Sequence, residues 1–88
     1  MGATGAIFAE ADEVVVARPP KIEVISTVGA GDAMVSGLVT GKLRGFSLAD
    51  CACLATAFSM GALSQVGPRL PPRETVASFM NQVNVQPL

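Results

Sequence analysis

A carboxylate directly behind a turn of small residues is the feature of this sequence that most favours chemistry. The stretch STVGAGDAMVSG, residues 26–37, places Gly29, Ala30 and Gly31 before Asp32, and an apolar run follows. The first amides of a helix have no intrahelical partner and carry the positive end of its dipole. Glycine permits the torsions that let such amides converge, so this turn predicts an anion site suited to phosphate.

Asp32 would have a different task at the mouth of that site. The helix dipole favours its carboxylate form, which can accept a proton from an attacking hydroxyl. Anion binding beside a base is what phosphoryl transfer to an alcohol requires. The same residues alone are also typical of a tight turn whose acid stabilises the first helical turn. The phosphate interpretation is favoured because the turn follows a predicted strand and opens a predicted helix.

Two common nucleotide-binding motifs are excluded at this turn. No Gly-Lys-Ser/Thr follows, so the turn is not a Walker A loop. Ala33 and Met34 lead to Val35, where a dinucleotide fingerprint needs its third glycine. A dehydrogenase-type dinucleotide binder is therefore disfavoured.

Composition excludes further classes of function. The formal net charge is -1, with no basic tract and no Trp or Tyr, so nucleic-acid binding has little support. The absence of His removes His-based acid–base chemistry, and we predict no metal site built from protein ligands. Cys51 and Cys53 lie two apart on a predicted helix and point to nearly opposite sides, which predicts unbridged, buried thiols in a reducing compartment. Without a membrane-length apolar run or a signal peptide, we predict a cytoplasmic protein that does not bind membranes.

The elements that would position the turn are strands followed by helices. After a glycine turn and a short apolar stretch at residues 6–9, EVVVA at 13–17 predicts a strand, and KIEVI at 21–25 predicts a third strand. Helices are predicted from Gly31 to Leu43, from Ser47 to Ser64 and from Pro72 to Val83. The first helix carries one apolar stripe, formed by Met34, Val35, Leu38, Val39 and Leu43.

Three glycines and one serine predict where these helices pack closely, end and begin. Gly37 and Gly41 weaken the first helix and are expected where another element packs closely. Gly45 is the predicted stop, and Ser47 begins the next helix in a capping-box-like sequence. That second helix is apolar on nearly every side, which predicts that it is buried.

The chain is short for its apolar content. It has 88 residues, of which 50% are hydrophobic and only 15% charged. Short chains bury a smaller fraction of their surface, so some apolar faces are expected to pack against parts not present here. Strands followed by helices suit the end of an α/β domain, and we expect a segment of a larger fold.

The central motif resembles a known family. STVGAGDAMVSG is similar to the C-terminal motif of the PfkB (ribokinase-like) sugar kinases, and LATAFSMGALSQVG at 54–67 and the ending NVQPL extend the likeness over nearly the whole chain. The resemblance implies the C-terminal part of a ribokinase-like three-layer α/β/α fold. Within the family it favours the phosphofructokinase branch, which uses ATP and Mg²⁺ to convert fructose 1-phosphate to fructose 1,6-bisphosphate. Tagatose 6-phosphate and fructose 6-phosphate are the alternative substrates.

The resemblance also implies roles for individual residues. Asp32 would be the catalytic base that contacts the sugar 6-hydroxyl, and the amides of Gly29, Ala30, Gly31 and Asp32 would hold the transferring phosphoryl group. The turn GATG would line the ATP site through Gly2, Ala3, Thr4 and Gly5, together with Gly31. Residues 57–61 and Gly67 would wall the adenine pocket. Ser26 stands where many members carry an Asp of a monovalent-cation site, which puts potassium activation in doubt.

Residues 1–88 would thus form the nucleotide and anion side of a kinase whose sugar-binding part and lid are absent, and we expect the isolated chain to be inactive. The alternative is a non-catalytic α/β module that binds a nucleotide or phosphate, or that associates, for example as a homodimer, through exposed apolar faces.

Overall fold

A β-hairpin begins the part of the chain that the computed structural model describes, which comprises residues 5–20, 29–63 and 72–88. Strand β1, Ala6–Glu10, pairs antiparallel with strand β2, Glu13–Arg18. The β-branched run 14–16 favours the extended backbone of β2, and Phe8 lies opposite Val15 in the register. The strand predicted at 13–17 is confirmed.

A third strand, β3, Asn84–Pro87, lies on the other side of β2 and was not predicted. It runs antiparallel to β2, with Ala17 opposite Val85. The prediction that all strands precede the helices is therefore wrong for the described residues, and the strand predicted at 21–25 lies outside them. Pro87 supplies no ladder donor, which is tolerated because β3 is an edge strand of this sheet.

The three helices are α1, Ala30–Leu43, α2, Leu48–Leu63, and α3, Arg73–Met80. Helix α3 is shorter than predicted, since it ends at Met80 instead of Val83. The chain turns after Asn81 so that β3 can return to β2, and Val83 packs against the core of the sheet. The pairing of β3 with β2 thus prevails over the helical spacing of residues 81–83, which had predicted a longer α3.

The C-terminus of α1 and the N-terminus of α2 lie where the sequence predicts them. Gly45 has a φ of 75°, and the amide of Phe46 donates to the carbonyl of Gly41 over 2.9 Å while that of Gly45 donates to Lys42. This pair of bonds is the Schellman arrangement, which ends a helix at a glycine. Helix α2 starts with the amide of Asp50 donating to the Ser47 hydroxyl over 3.2 Å, which is an N-cap bond.

Helix α2 is the centre of the molecule, as its all-round apolar sequence predicts. One side packs on the sheet, where Ala52 and Ala55 join Phe8, Val15 and Ala17 in the main core. Its other side packs on α3 in a second cluster of buried residues, which consists of Leu54, Ala57 and Val76. Because α2 is covered by both layers, the described part has the α/β architecture that was expected.

Helix α1 packs on α2 through small residues and not through its large apolar ones. Its buried residues are Ala30, Ala33, Gly37 and Gly41. A Cβ added at Gly37 would lie 2.7 Å from the Ala55 Cα, so the expected close approach is confirmed. The apolar stripe is divided: Met34 and Leu38 are partly buried against the core, whereas Val35, Val39 and Leu43 are exposed. The 3.6-residue spacing placed the large apolar residues on one face of α1, but the face that contacts α2 is formed by small residues.

Both cysteines are free, as predicted, and they point to different surroundings. Cys51 is fully buried, whereas Cys53 is partly buried and its thiol donates to the Met80 carbonyl over 3.3 Å. Within the described ranges, no helix has both the length and the apolar composition that crossing a membrane requires.

Candidate functional site

The N-terminus of α1 forms the centre of the candidate site. Gly29 is its N-cap residue and has a φ of 83°, in the left-handed region that glycine adopts without strain. The first intrahelical bond runs from the Ala33 amide to the Gly29 carbonyl over 2.8 Å. The amides of Ala30, Gly31 and Asp32 therefore have no acceptor within the helix, and no side chain among the described residues caps it. They can donate to an anion.

Gly31 and Asp32 face open space in this first turn. A Cβ added at Gly31 would meet no atom within 4 Å, and both residues are exposed. Ala30, by contrast, is buried and anchors the turn against the body of the molecule. The arrangement leaves the first turn of α1 open to solvent at both Gly31 and Asp32.

Gly5 is the residue of the GATG turn that the structure describes, and it lies where β1 begins. Its φ is 109°, and a Cβ there would come within 2.3 Å of the Ala17 carbonyl oxygen. Only glycine satisfies both conditions. The rest of the predicted nucleotide-side turn, Gly2, Ala3 and Thr4, lies outside the described residues, as do Ser26 and Gly67.

A small cavity connects Gly5 with α1 and α2. Its volume is about 20 Å³, and Gly5, Met34 and Met60 contribute to its walls. Met34 lies two residues after Asp32 in α1, so this cavity lies between Gly5 and the N-terminal half of α1. Within the predicted adenine wall at 57–61, Ser59 and Met60 line this cavity, whereas Ala57 packs toward α3.

Two hydroxyl groups in the same cavity lack a partner. Thr56 and Ser59 are 4% and 2% exposed, and neither side-chain oxygen makes a hydrogen bond within the described part of the chain. Buried hydroxyls normally find a partner, and a water or a ligand group in this cavity would supply one. Ser59 lies within the predicted adenine wall, whereas Thr56 was not among the predicted residues. Their three-residue spacing within an otherwise apolar helix was the available signal.

The residues present fit a phosphate better than they fit a whole nucleotide. Unpaired amides, open space over Gly31 and the positive end of α1 suit an anion. The cavity at Thr56 and Ser59 holds about one water-sized group, so the described residues alone do not enclose a purine ring. No group of three His, Cys, Asp or Glu side chains is placed to hold a metal ion among the residues described.

The chain is similar to known carbohydrate kinases. Residues 1–75 match the pattern of the pfkB family of carbohydrate kinases. The chain is 51% identical over 88 residues to a 1-phosphofructokinase of Rhodobacter capsulatus, and 41% identical over 87 residues to that of Escherichia coli K12. These matches cover 100% and 99% of the chain but 28% of each relative, so the chain spans less than a third of their length.

Solved structures share the fold. A crystal structure of a candidate phosphofructokinase from Staphylococcus aureus superposes with a TM-score of 0.92 at 28% identity, covering 100% of this chain and 28% of that one. Phosphofructokinase-2 from Escherichia coli, in complex with potassium, gives a TM-score of 0.84 at 26% identity, covering 91% of this chain and 26% of that one.

Proposed function

The chain belongs to the pfkB family of carbohydrate kinases, and we propose that it supplies the phosphate-binding and base-carrying part of an ATP-dependent kinase that converts fructose 1-phosphate to fructose 1,6-bisphosphate. The single observation that carries this proposal is the first turn of α1. There, the exposed residue Asp32 follows amides that have no acceptor within the helix, and a Cβ added at Gly31 would meet nothing within 4 Å. The identity of 51% to a 1-phosphofructokinase supports the choice of substrate.

The proposed chemistry follows from these groups. The amides of Ala30, Gly31 and Asp32 donate to oxygens of the transferring phosphoryl group, and the positive end of α1 offsets the charge that gathers there. The Asp32 carboxylate accepts the proton of the attacking 6-hydroxyl as the new O–P bond forms, while the bond from the γ-phosphorus to the bridging oxygen breaks and ADP leaves. Mg²⁺ bound with the nucleotide would neutralise further phosphate charge.

The proposal assigns only part of a kinase to these residues. The sugar pocket would come from parts of the kinase that these 88 residues do not match, since they span 28% of the relative's length. Positioning of both reactants is most of what phosphoryl transfer requires. We therefore expect no turnover from the isolated chain with MgATP and fructose 1-phosphate.

A chimera tests the proposed function directly. The matching C-terminal 28% of the Rhodobacter capsulatus 1-phosphofructokinase is replaced by this chain, and fructose-1-phosphate-dependent ATP consumption is measured. We expect activity in the chimera, and a fall in kcat of about 10²–10⁴-fold in Asp32→Asn, because that range is typical for loss of a general base. Little change in KM is expected.

Asp50→Asn is the matched control. Asp50 is an exposed aspartate in the first turn of α2, so this variant removes the same charge from the same helical position without touching α1. Activity of the Asp32→Asn chimera within a few-fold of its parent would refute the role of Asp32. A folded but inactive parent chimera would instead favour the non-catalytic module.

A further inference from the structure

A second, larger cavity lies on the opposite side of α2 from Thr56 and Ser59. Its volume is about 460 Å³, it is partly open to solvent, and it is lined by residues at the C-terminal end of α1, in α2 and in α3. It shares no lining residue with the small cavity near Gly5. Nothing in the proposed kinase reaction uses it.

The floor of this cavity is apolar and held in place by packing. Leu54 and Val76 are buried at its base as members of the second core cluster. Phe46, Phe58 and Met80 pack partly buried against that cluster and also line the cavity. The aromatic and aliphatic surface is thus formed by the fold itself and does not depend on a ligand.

The rim carries positive charge from two helices. Arg44 follows the end of α1, Arg73 begins α3, and both are exposed cavity-lining residues. They are two of the six Lys and Arg residues in the chain. Among the described residues, the ion pair that forms is between Lys42 and Glu10, and neither arginine takes part in one.

We propose that this cavity binds a small amphipathic anion, with an aromatic or short aliphatic body and one phosphate or carboxylate group. The volume falls in the range of small-molecule sites, which combine mostly apolar walls with a few polar groups. Arginine guanidinium groups donate paired hydrogen bonds to phosphate and carboxylate, which fixes the charged end at the rim. The body of the ligand then lies on Phe46 and Phe58, where aromatic contact adds to area burial. Walls from three helices favour a small molecule over an extended peptide.

Fluorescence anisotropy of 1-naphthyl phosphate tests this proposal on the full chain. Since the protein has no Trp or Tyr, the signal of the naphthyl group is read without interference from those residues. 1-Naphthoate is the carboxylate arm, and 1-naphthol is the uncharged one. We expect saturable binding of at least one anion, with 1-naphthol at least tenfold weaker.

Substitutions locate the bound anion. Arg44→Gln and Arg73→Gln should each weaken binding about tenfold, the effect typical for loss of one charged hydrogen-bond partner. Arg18→Gln, an exposed arginine on β2 outside the cavity, is the matched control and should leave affinity unchanged. Ala77→Phe fills the cavity from α3 and should abolish binding while both arginines remain. Far-UV circular dichroism confirms the fold of each variant.

Three results would overturn the proposal. Binding that is insensitive to both arginine substitutions would place the anion elsewhere, with the N-terminus of α1 as the alternative location. Equal affinity for 1-naphthol would show that charge is not recognised. Absence of binding at millimolar ligand would show that the cavity is not a site. Each outcome is independent of the activity of the chimera.

Discussion

Two aspartates occupy the first turns of helices in this chain, and what surrounds each one separates their roles. Asp50 lies in the first turn of α2, where the Ser47 hydroxyl caps the amides. Asp32 lies in the first turn of α1, where no side chain of the described residues caps the amides and a Cβ at Gly31 would meet nothing within 4 Å. The sequence accounts for this difference at the residue level, because a serine precedes α2 whereas a glycine precedes α1.

Gly31→Ala separates function from stability at the candidate site. Since an added Cβ meets nothing within 4 Å, and alanine favours helix over glycine, the free energy of unfolding should not fall. The methyl group would occupy space over the amides, so phosphate should bind less closely. We expect at least tenfold lower kcat/KM in the chimera at unchanged Tm. An unaltered kcat/KM would contradict phosphate binding at this turn.

Cys53 offers a test of local electrostatics. Burial raises the pKa of its thiol above the ordinary value, and the negative charge of Asp50 raises it further. The thiolate is the reactive form, so alkylation by iodoacetamide at pH 8 should be slow in the folded chain. Asp50→Asn removes the second cause, and we expect faster alkylation of Cys53. An unchanged rate would exclude the influence of Asp50.

The same shift has a consequence for stability. Because the pKa of Cys53 is higher in the folded chain than in the unfolded chain, the contribution of the thiol to stability is complete below the unfolded pKa. It is lost as the pH rises through the folded pKa, so the midpoint of urea unfolding should fall only in alkaline solution.

At the level of secondary-structure elements, the glycines of α1 predicted its packing better than the spacing of its large apolar residues did. Gly37 and Gly41 predicted a close helix contact, and they make it with Ala55 and Cys51. The 3.6-residue spacing also grouped the large apolar residues of α1, but it could not say that the small-residue face is the one in contact. The strand β3 was missed because NVQP has few β-branched residues, and its pairing with β2 depends on residues almost seventy positions away.

Gly37→Ala tests the contact between α1 and α2. The added Cβ would lie 2.7 Å from the Ala55 Cα and 3.0 Å from the Leu54 carbonyl oxygen, so the two backbones must separate. Overpacking of this kind costs about 1–3 kcal/mol of the free energy of unfolding. Gly31→Ala makes the same substitution in the same helix where the space is open, and is the control. Equal urea midpoints for the two variants would contradict the close packing.

At the scale of the whole molecule, the sequence predicted the turn at the candidate site but not the cavity near it. The motif predicted where α1 begins and that Asp32 lies in its first turn, because local torsions at a glycine determine such a helix start. The cavity that joins Gly5, Thr56 and Ser59 depends on how three distant elements pack, which neither propensity nor spacing encodes. The same packing leaves a stripe of large apolar side chains exposed along α1.

That stripe predicts association of the isolated chain. Val35, Val39 and Leu43 are 59%, 50% and 84% exposed and recur every four residues, so they form one continuous apolar line. Burying a Val or Leu side chain contributes about 1.5–3 kcal/mol, which favours pairing of such surfaces between copies of the chain. We expect light scattering to show a concentration-dependent rise in mass for the parent chain. Val39→Lys combined with Leu43→Lys should weaken association at least tenfold, whereas Gln82→Lys combined with Gln86→Lys, which adds the same charge at two exposed polar positions, should not. A parent chain that remains monomeric at high concentration, or equal effects of the two variants, would show that the stripe does not mediate association.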